Sequence, residues 1–265
     1  MRTVYLLENN AFGNRNKEKR ETFFYAAAFD GWNKNALISR ADSFQPALDD
    51  TIEYRTGESE EEKRKARRVL AATEKADPRA KAEIGKILLS GEPEKEQIAY
   101  LYLKEIFRFR APARDKTYLP AVSAAIDVCR KIGKELEHLK GFLRFKETAS
   151  SVFYAPFSPD HDVAPLLAPH FIARMQSLFI LHDISRAYAV CYDGSSVREI
   201  EAAKADVSLS EDEEFFSTLW KGYFHTVAIR ARTNAPVQDR LMPRRYRKFM
   251  EETLPSPSDP PPKKY

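Results

Sequence analysis

The hydrophobic period of this chain changes near residue 140, and that change constrains its fold class most. Upstream, apolar residues recur at three- and four-residue steps; between Gly141 and Gly194 they fall in short runs separated by polar turns. A 3.6-residue period marks helices with one buried face, and a period of two marks half-buried strands. GFLRF, SVFYAPF, SLFILHD and RAYAVCYDG read as four strands, with Asp193-Gly194 turning into SVREIEA. Between the second and third, VAPLLAPHFIARM reads as a helix that Pro169 must kink or restart, because proline lacks the interior donor. The expectation is an α+β fold: a helical N-terminal half, a small antiparallel β-sheet with a packed helix, and C-terminal helices.

The helical half is legible in several places. ESEEEKRKARRVLAATEKA places acids before bases, the order that a helix dipole favours. Helices follow over Ala80–Leu89 and Glu94–Phe109. Val122, Ala125, Ile126, Cys129, Gly133 and Leu136 share one helix face, which makes Cys129 a core residue rather than a nucleophile. Ser210 and Glu213 have capping-box spacing, ahead of an apolar stripe of Phe216, Leu219, Trp220, Tyr223 and Val227. In the first residues VYLL reads as a strand, KEKRETFFYAAAF as a helix with an aromatic face, and TIEYR as strand-like. The domain division expected is a variable N-terminal segment at 1–55, an α+β domain at 56–253, and a disordered proline-rich tail at 254–265.

Composition excludes several classes. The two cysteines, Cys129 and Cys191, lack metal-type spacing and form no disulfide framework, so a reducing, cytoplasmic setting is expected. No apolar run approaches the ~18 residues of a membrane span. No GxxxxGK[ST], GxGxxG or three-cysteine cluster is present, and no cofactor or bound metal is expected. Net charge is only +4, but Arg230, Arg232, Arg240, Arg244, Arg245, Arg247 and Lys248 stand against Asp239 and Glu251 alone, seven minus two. Such clusters neutralise phosphates. Arg108, Arg110, Arg114 and Lys116 form a second group.

Two chemistries compete for the centre of the chain. His161-Asp162 and His182-Asp183 offer imidazole and carboxylate for acid–base work, with His161, His182 and Asp183 as the catalytic candidates. Alternatively Arg144, Lys146, Arg174, Arg186 and the MPRRYRK block, interleaved with Phe145, Tyr154, Tyr188 and Tyr246, suit nucleic acid. Arginine forks reach phosphates and rings stack on exposed bases. The expected binding set is Arg144, Arg174, Arg186, Arg240, Arg244, Arg245, Arg247 and Lys248.

Four blocks, GKELEHLKGFLRFKE, YAPFSPDHDVAPLLAPHF, FILHDISRAYAVCYDG and LWKGYFHTVAIRARTNAPVQDRLMPRRYRKFMEE, resemble successive signatures of an uncharacterised bacterial family. That family occurs beside, or fused to, uracil-DNA glycosylase domains, and its stand-alone form is linked to a DNA-repair radical-SAM protein. The resemblance covers about residues 50 to 255. The N-terminus departs from it: only Phe29-Asp30-Gly31 stands in for the family's early aspartate-glycine turn. Matching motif positions include Arg144, Pro159, Asp160, His161, His170, Arg174, His182, Asp183, Arg186, Trp220 and Tyr246. The resemblance implies a DNA-repair or DNA-modification accessory protein whose partners are DNA and a radical-SAM or glycosylase-type enzyme. Two alternatives are an enzyme acting on a nucleobase or nucleotide through the His/Asp region and a partner-docking structural module. The sequence sets no oligomeric state.

Overall fold

A computed structural model describes residues 2–7, 17–32, 34, 36–41, 44–56, 58–203, 207–227, 237, 241–250 and 252, with backbone alone at 17–20, 23, 224 and 225. Contacts divide the chain into two compact units, residues 1–133 and 134–265. The expected tail at 254–265 lies outside the described residues, as do Arg230, Arg232 and Arg240.

In the first unit, β1 (Arg2–Leu7) pairs in parallel with β2 (Ala36–Arg40) on one side and β3 (Asp50–Arg55) on the other. Val4 to Leu7 are all buried, the continuous apolar run of a central parallel strand covered on both faces. Helix α1 (Lys17–Gly31) makes the crossover from β1 to β2 and buries Phe24 to Ala28. Helices α2 (Glu60–Ala76), α3 (Ala80–Leu88) and α4 (Lys95–Phe109) follow, then a short 3-10 turn. Ser59 caps α2 by accepting the Glu62 N–H at 3.1 Å, and three glutamates fill the first turn. The helical N-terminal half therefore holds, but a parallel sheet precedes it. Of its three strands, ALISR carried no reading from the sequence.

Helix α5 (Pro120–Phe142) contains the boundary between the units. Its buried line is Val122, Ala125, Val128, Ile132, Glu135 and Leu139, while Ile126 is exposed. The expected face was thus rotated by about one residue, and Cys129 is only partly buried. The helix runs on through Gly141 and Phe142, so GFLRF is no strand; only Lys146–Glu147 forms β4. In the second unit the order is β4-β5-β6-β7-β8, with β5 at Phe153–Phe157, β6 at Phe179–Asp183, β7 at Tyr188–Tyr192 and β8 at Val197–Glu201. The sheet is mixed rather than antiparallel, because α6 (Ala164–Met175) carries the chain back so that β5 and β6 run parallel. Pro169 sits inside α6 without ending it. The face of Phe179, Leu181 and Asp183 is buried, and Phe171 of α6 lies edge-on to Phe179 at 6.5 Å.

Helix α7 (Glu213–Val227) carries the expected stripe, but Phe216, Leu219, Trp220, Tyr223 and Val227 are 41–60% exposed. The expected capping box does not close: Ser210 Oγ is buried without a hydrogen-bond partner. Instead the Ser210 N–H donates to the Glu147 carbonyl at 3.0 Å, and the Glu147 N–H to Glu213 Oε2 at 2.9 Å. The pair fastens β4 to the start of α7. No helix of the described residues is long and apolar enough to cross a membrane.

Candidate nucleic-acid interface

Three signature blocks meet at Glu135. This carboxylate, 4% exposed on the buried line of α5, accepts the N–H groups of Asp160 and His161 at 2.9 and 2.8 Å. It also accepts the Tyr246 hydroxyl at 2.7 Å, and Arg245 reaches it at 3.4 Å and Asp160 at 2.7 Å. Arg186 ties the same loop from the other side, donating to the carbonyls of Pro159 at 3.2 Å and Asp160 at 2.7 Å and to Asp183 at 2.8 Å. Tyr188 donates to Asp162. Burial pushes the Asp183 carboxyl up, against the pull of Arg186, and burial also raises the Tyr188 hydroxyl. The knot fixes the Pro159–Asp162 loop with the guanidinium groups of Arg186 and Arg245, which act first as internal ties.

Of the catalytic candidates, His182 and Asp183 do not converge. Successive strand residues point to opposite faces, so His182 and Asp183 diverge although adjacent. His182 Nδ1 meets the Tyr154 hydroxyl at 2.6 Å, and Nε2 meets the Ala202 carbonyl at 2.8 Å. A carbonyl only accepts, which puts a hydrogen on Nε2. Asp183, on the far face, caps the turn at Ile184–Arg186 and faces Tyr188. His161 belongs to the Glu135 loop, and His170 on α6 has a buried Nε2 without a hydrogen-bond partner. Among the described residues, no three His, Cys, Asp or Glu side chains gather as metal ligands.

Arg144 leaves α5 and turns into a clamp. Its guanidinium bonds Glu252 through Nε at 3.1 Å and Nη2 at 2.5 Å, and Nη1 donates to the Gly141 carbonyl at 2.8 Å. Trp220 Nε1 donates to the same Glu252 at 3.1 Å, and the Arg144 guanidinium lies 5.8 Å from the centre of its ring. Of the C-terminal basic cluster, Arg244 and Lys248 are exposed, Arg245 and Arg247 half-buried. In the first unit Arg114 is likewise an internal partner, of Asp77 at 2.6 Å.

Beside the clamp opens a cleft of about 780 Å³ within the second unit. Arg144, Lys146 and Arg174 line it together with Phe145, Phe153, Phe171, Phe216 and Trp220. Arg174, exposed in the last turn of α6, has no hydrogen-bond or ion-pair partner among the described residues. Of the expected set, then, the structure brings Arg144 and Arg174 to one cleft, and Arg186 and Arg245 to the Glu135 knot. Reading the sequence missed Glu135 and Glu252, and took Glu213 only as a helix cap, whereas Lys146 was among the cations it singled out. An acid at a three-residue step between Ile132 and Leu139 was the available signal for Glu135.

No curated protein and no solved structure matches this chain. A family model does, over residues 93–252, which takes in α4, α5, the mixed sheet, the cleft and the knot. With more than half of its length matched, the chain belongs to the family DUF4130, a domain of unknown function.

Proposed function

We propose that this chain is a nucleic-acid-binding accessory protein of DNA repair or DNA modification, working beside a radical-SAM or glycosylase-type enzyme. The cleft carries the proposal: cationic side chains and aromatic rings line one opening of ligand-sized volume. The exposed Arg174 guanidinium suits a phosphate oxygen, and ring faces suit bases. The association with uracil-DNA glycosylase domains and a radical-SAM protein, implied by the resemblance of the signature blocks, supplies the DNA-repair setting. Acid–base catalysis at His161, His182 and Asp183 draws no support from an arrangement that sends His182 and Asp183 to opposite faces.

The test is fluorescence anisotropy of labelled DNA with the full chain, between about 50 and 200 mM salt. Binding that weakens with salt, and weakens further in Arg174→Glu, is the expected result. No binding at the low end of that range removes the proposal.

A further inference from the structure

We infer that the cleft takes an unpaired nucleobase of single-stranded DNA and does not engage matched duplex. This rests on the nucleic-acid reading above and narrows it. Charge decides first. The lining cations Arg144, Lys146 and Arg174 face Glu147 and Glu213 in the same wall, and Glu252 holds Arg144. Three positive groups against three negative ones make a nearly neutral site. Duplex binding draws its affinity from a row of neutralised phosphates, which such a wall does not provide. An unpaired base is uncharged and brings one phosphate per nucleotide, a match for the open guanidinium of Arg174.

Ring geometry points the same way. The floor is packed: Phe171 is buried, and Phe145 sits edge-on to it with centroids 4.8 Å apart. The α7 wall is open, with Phe216 58% and Trp220 41% exposed. Trp220 is nevertheless held in place by Glu252 at its Nε1 and by Tyr223, whose ring lies 5.7 Å away at 32°. A fixed indole with a solvent-open surface is a stacking platform for a base, and stacking tolerates any base because each has a π-face. A base outside its stack is small enough to enter a cleft of this volume, which a duplex is not.

The experiment uses the full chain carrying Trp32→Phe, so that Trp220 is the one tryptophan left. Anisotropy is measured on a labelled single strand, its matched duplex and a duplex with one unpaired base, with Trp220 emission followed in parallel. Single strand and bulged duplex should bind about tenfold or more tighter than matched duplex, the scale of a base–aromatic stack. Their binding should quench Trp220 at the same midpoint. Phe216→Ala, at an exposed ring, should lose about tenfold in single-strand affinity with an unchanged melting temperature. Matched duplex bound as tightly as single strand, without quenching, overturns the inference and leaves the nucleic-acid reading standing. Failure to bind any DNA overturns both. A concentration-dependent dimer that shields Trp220 and excludes DNA assigns the cleft to a second copy and also overturns it.

Discussion

At Glu252 three side chains far apart in sequence close one clamp. Burial pushes this carboxyl up, but hydrogen bonds from Arg144 and Trp220 outweigh it and hold the group below its ordinary value. A carboxyl lowered on folding stabilises the native state fully above its unfolded value of about 4.3, and that contribution is lost as pH falls through the folded value. Glu252→Gln should cost about 1–3 kcal/mol at neutral pH, the range for a buried charge-assisted hydrogen bond. The gap between the wild-type and variant unfolding free energies should then shrink as the solution is acidified below about pH 4. Urea titrations at several pH values check this, since other carboxylates cancel in the difference; a gap independent of pH would sink the clamp. The same residues show what sequence reading could reach. Arg144 and Arg245 were legible as important cations, and a local charge count made them phosphate contacts. Their carboxylate partners lie 108 and 110 positions away, so charge patterning along the chain could not find them. Glu135 was hidden differently: phasing the α5 stripe through Ile126 and Leu136 left this acid off the buried line.

Among the elements, α6 decides the topology of the second sheet. A strand–helix–strand run was read over residues 151–183, but its consequence, a parallel pair, requires knowing that β5 and β6 are neighbours. The first unit shows the converse. Strand, helix and strand-like segments were each legible, but without ALISR as β2 they could not be assembled into a parallel sheet. Within α6, Pro169 removes the N–H that would bond toward Pro165, and its ring is exposed. Nothing packed is lost with that ring. Pro169→Ala should therefore stabilise the chain by about 1–3 kcal/mol. The ~3 kcal/mol helix-interior penalty of proline sets the ceiling, and the looser unfolded chain offsets part of the gain. Thermal unfolding measures it. A loss of stability would mean instead that α6 needs its proline-imposed bend to seat Phe171 against Phe179.

For the whole molecule, the family match begins at residue 93, inside the first unit, and so includes α4. That helix is also where residues 1–55 are anchored. Gln97 Oε1 accepts the Ile38 N–H at 2.9 Å, and the Tyr100 hydroxyl donates to the Gly31 carbonyl at 2.7 Å. Ala99, Tyr100, Leu103 and Ile106 are all at most 1% exposed. A chain of residues 56–265 would uncover apolar surface along α4 and leave the Gln97 and Tyr100 groups without these partners. Uncovered apolar area costs about 25 cal/mol per Å², so losing a few large side-chain contacts approaches the whole stability of an ordinary domain. Helices α2 to α4 should then lose protection from proteolysis, with cleavage mapping between residues 60 and 109. The cleft is lined entirely by residues 141–220, so cuts there should remain rare. Limited proteolysis read by mass spectrometry, against the full chain, separates the outcomes. Equal protection of α2 to α4 in both proteins would show that these helices fold without the parallel sheet, and that the first 55 residues are an appendage rather than part of the first unit's core.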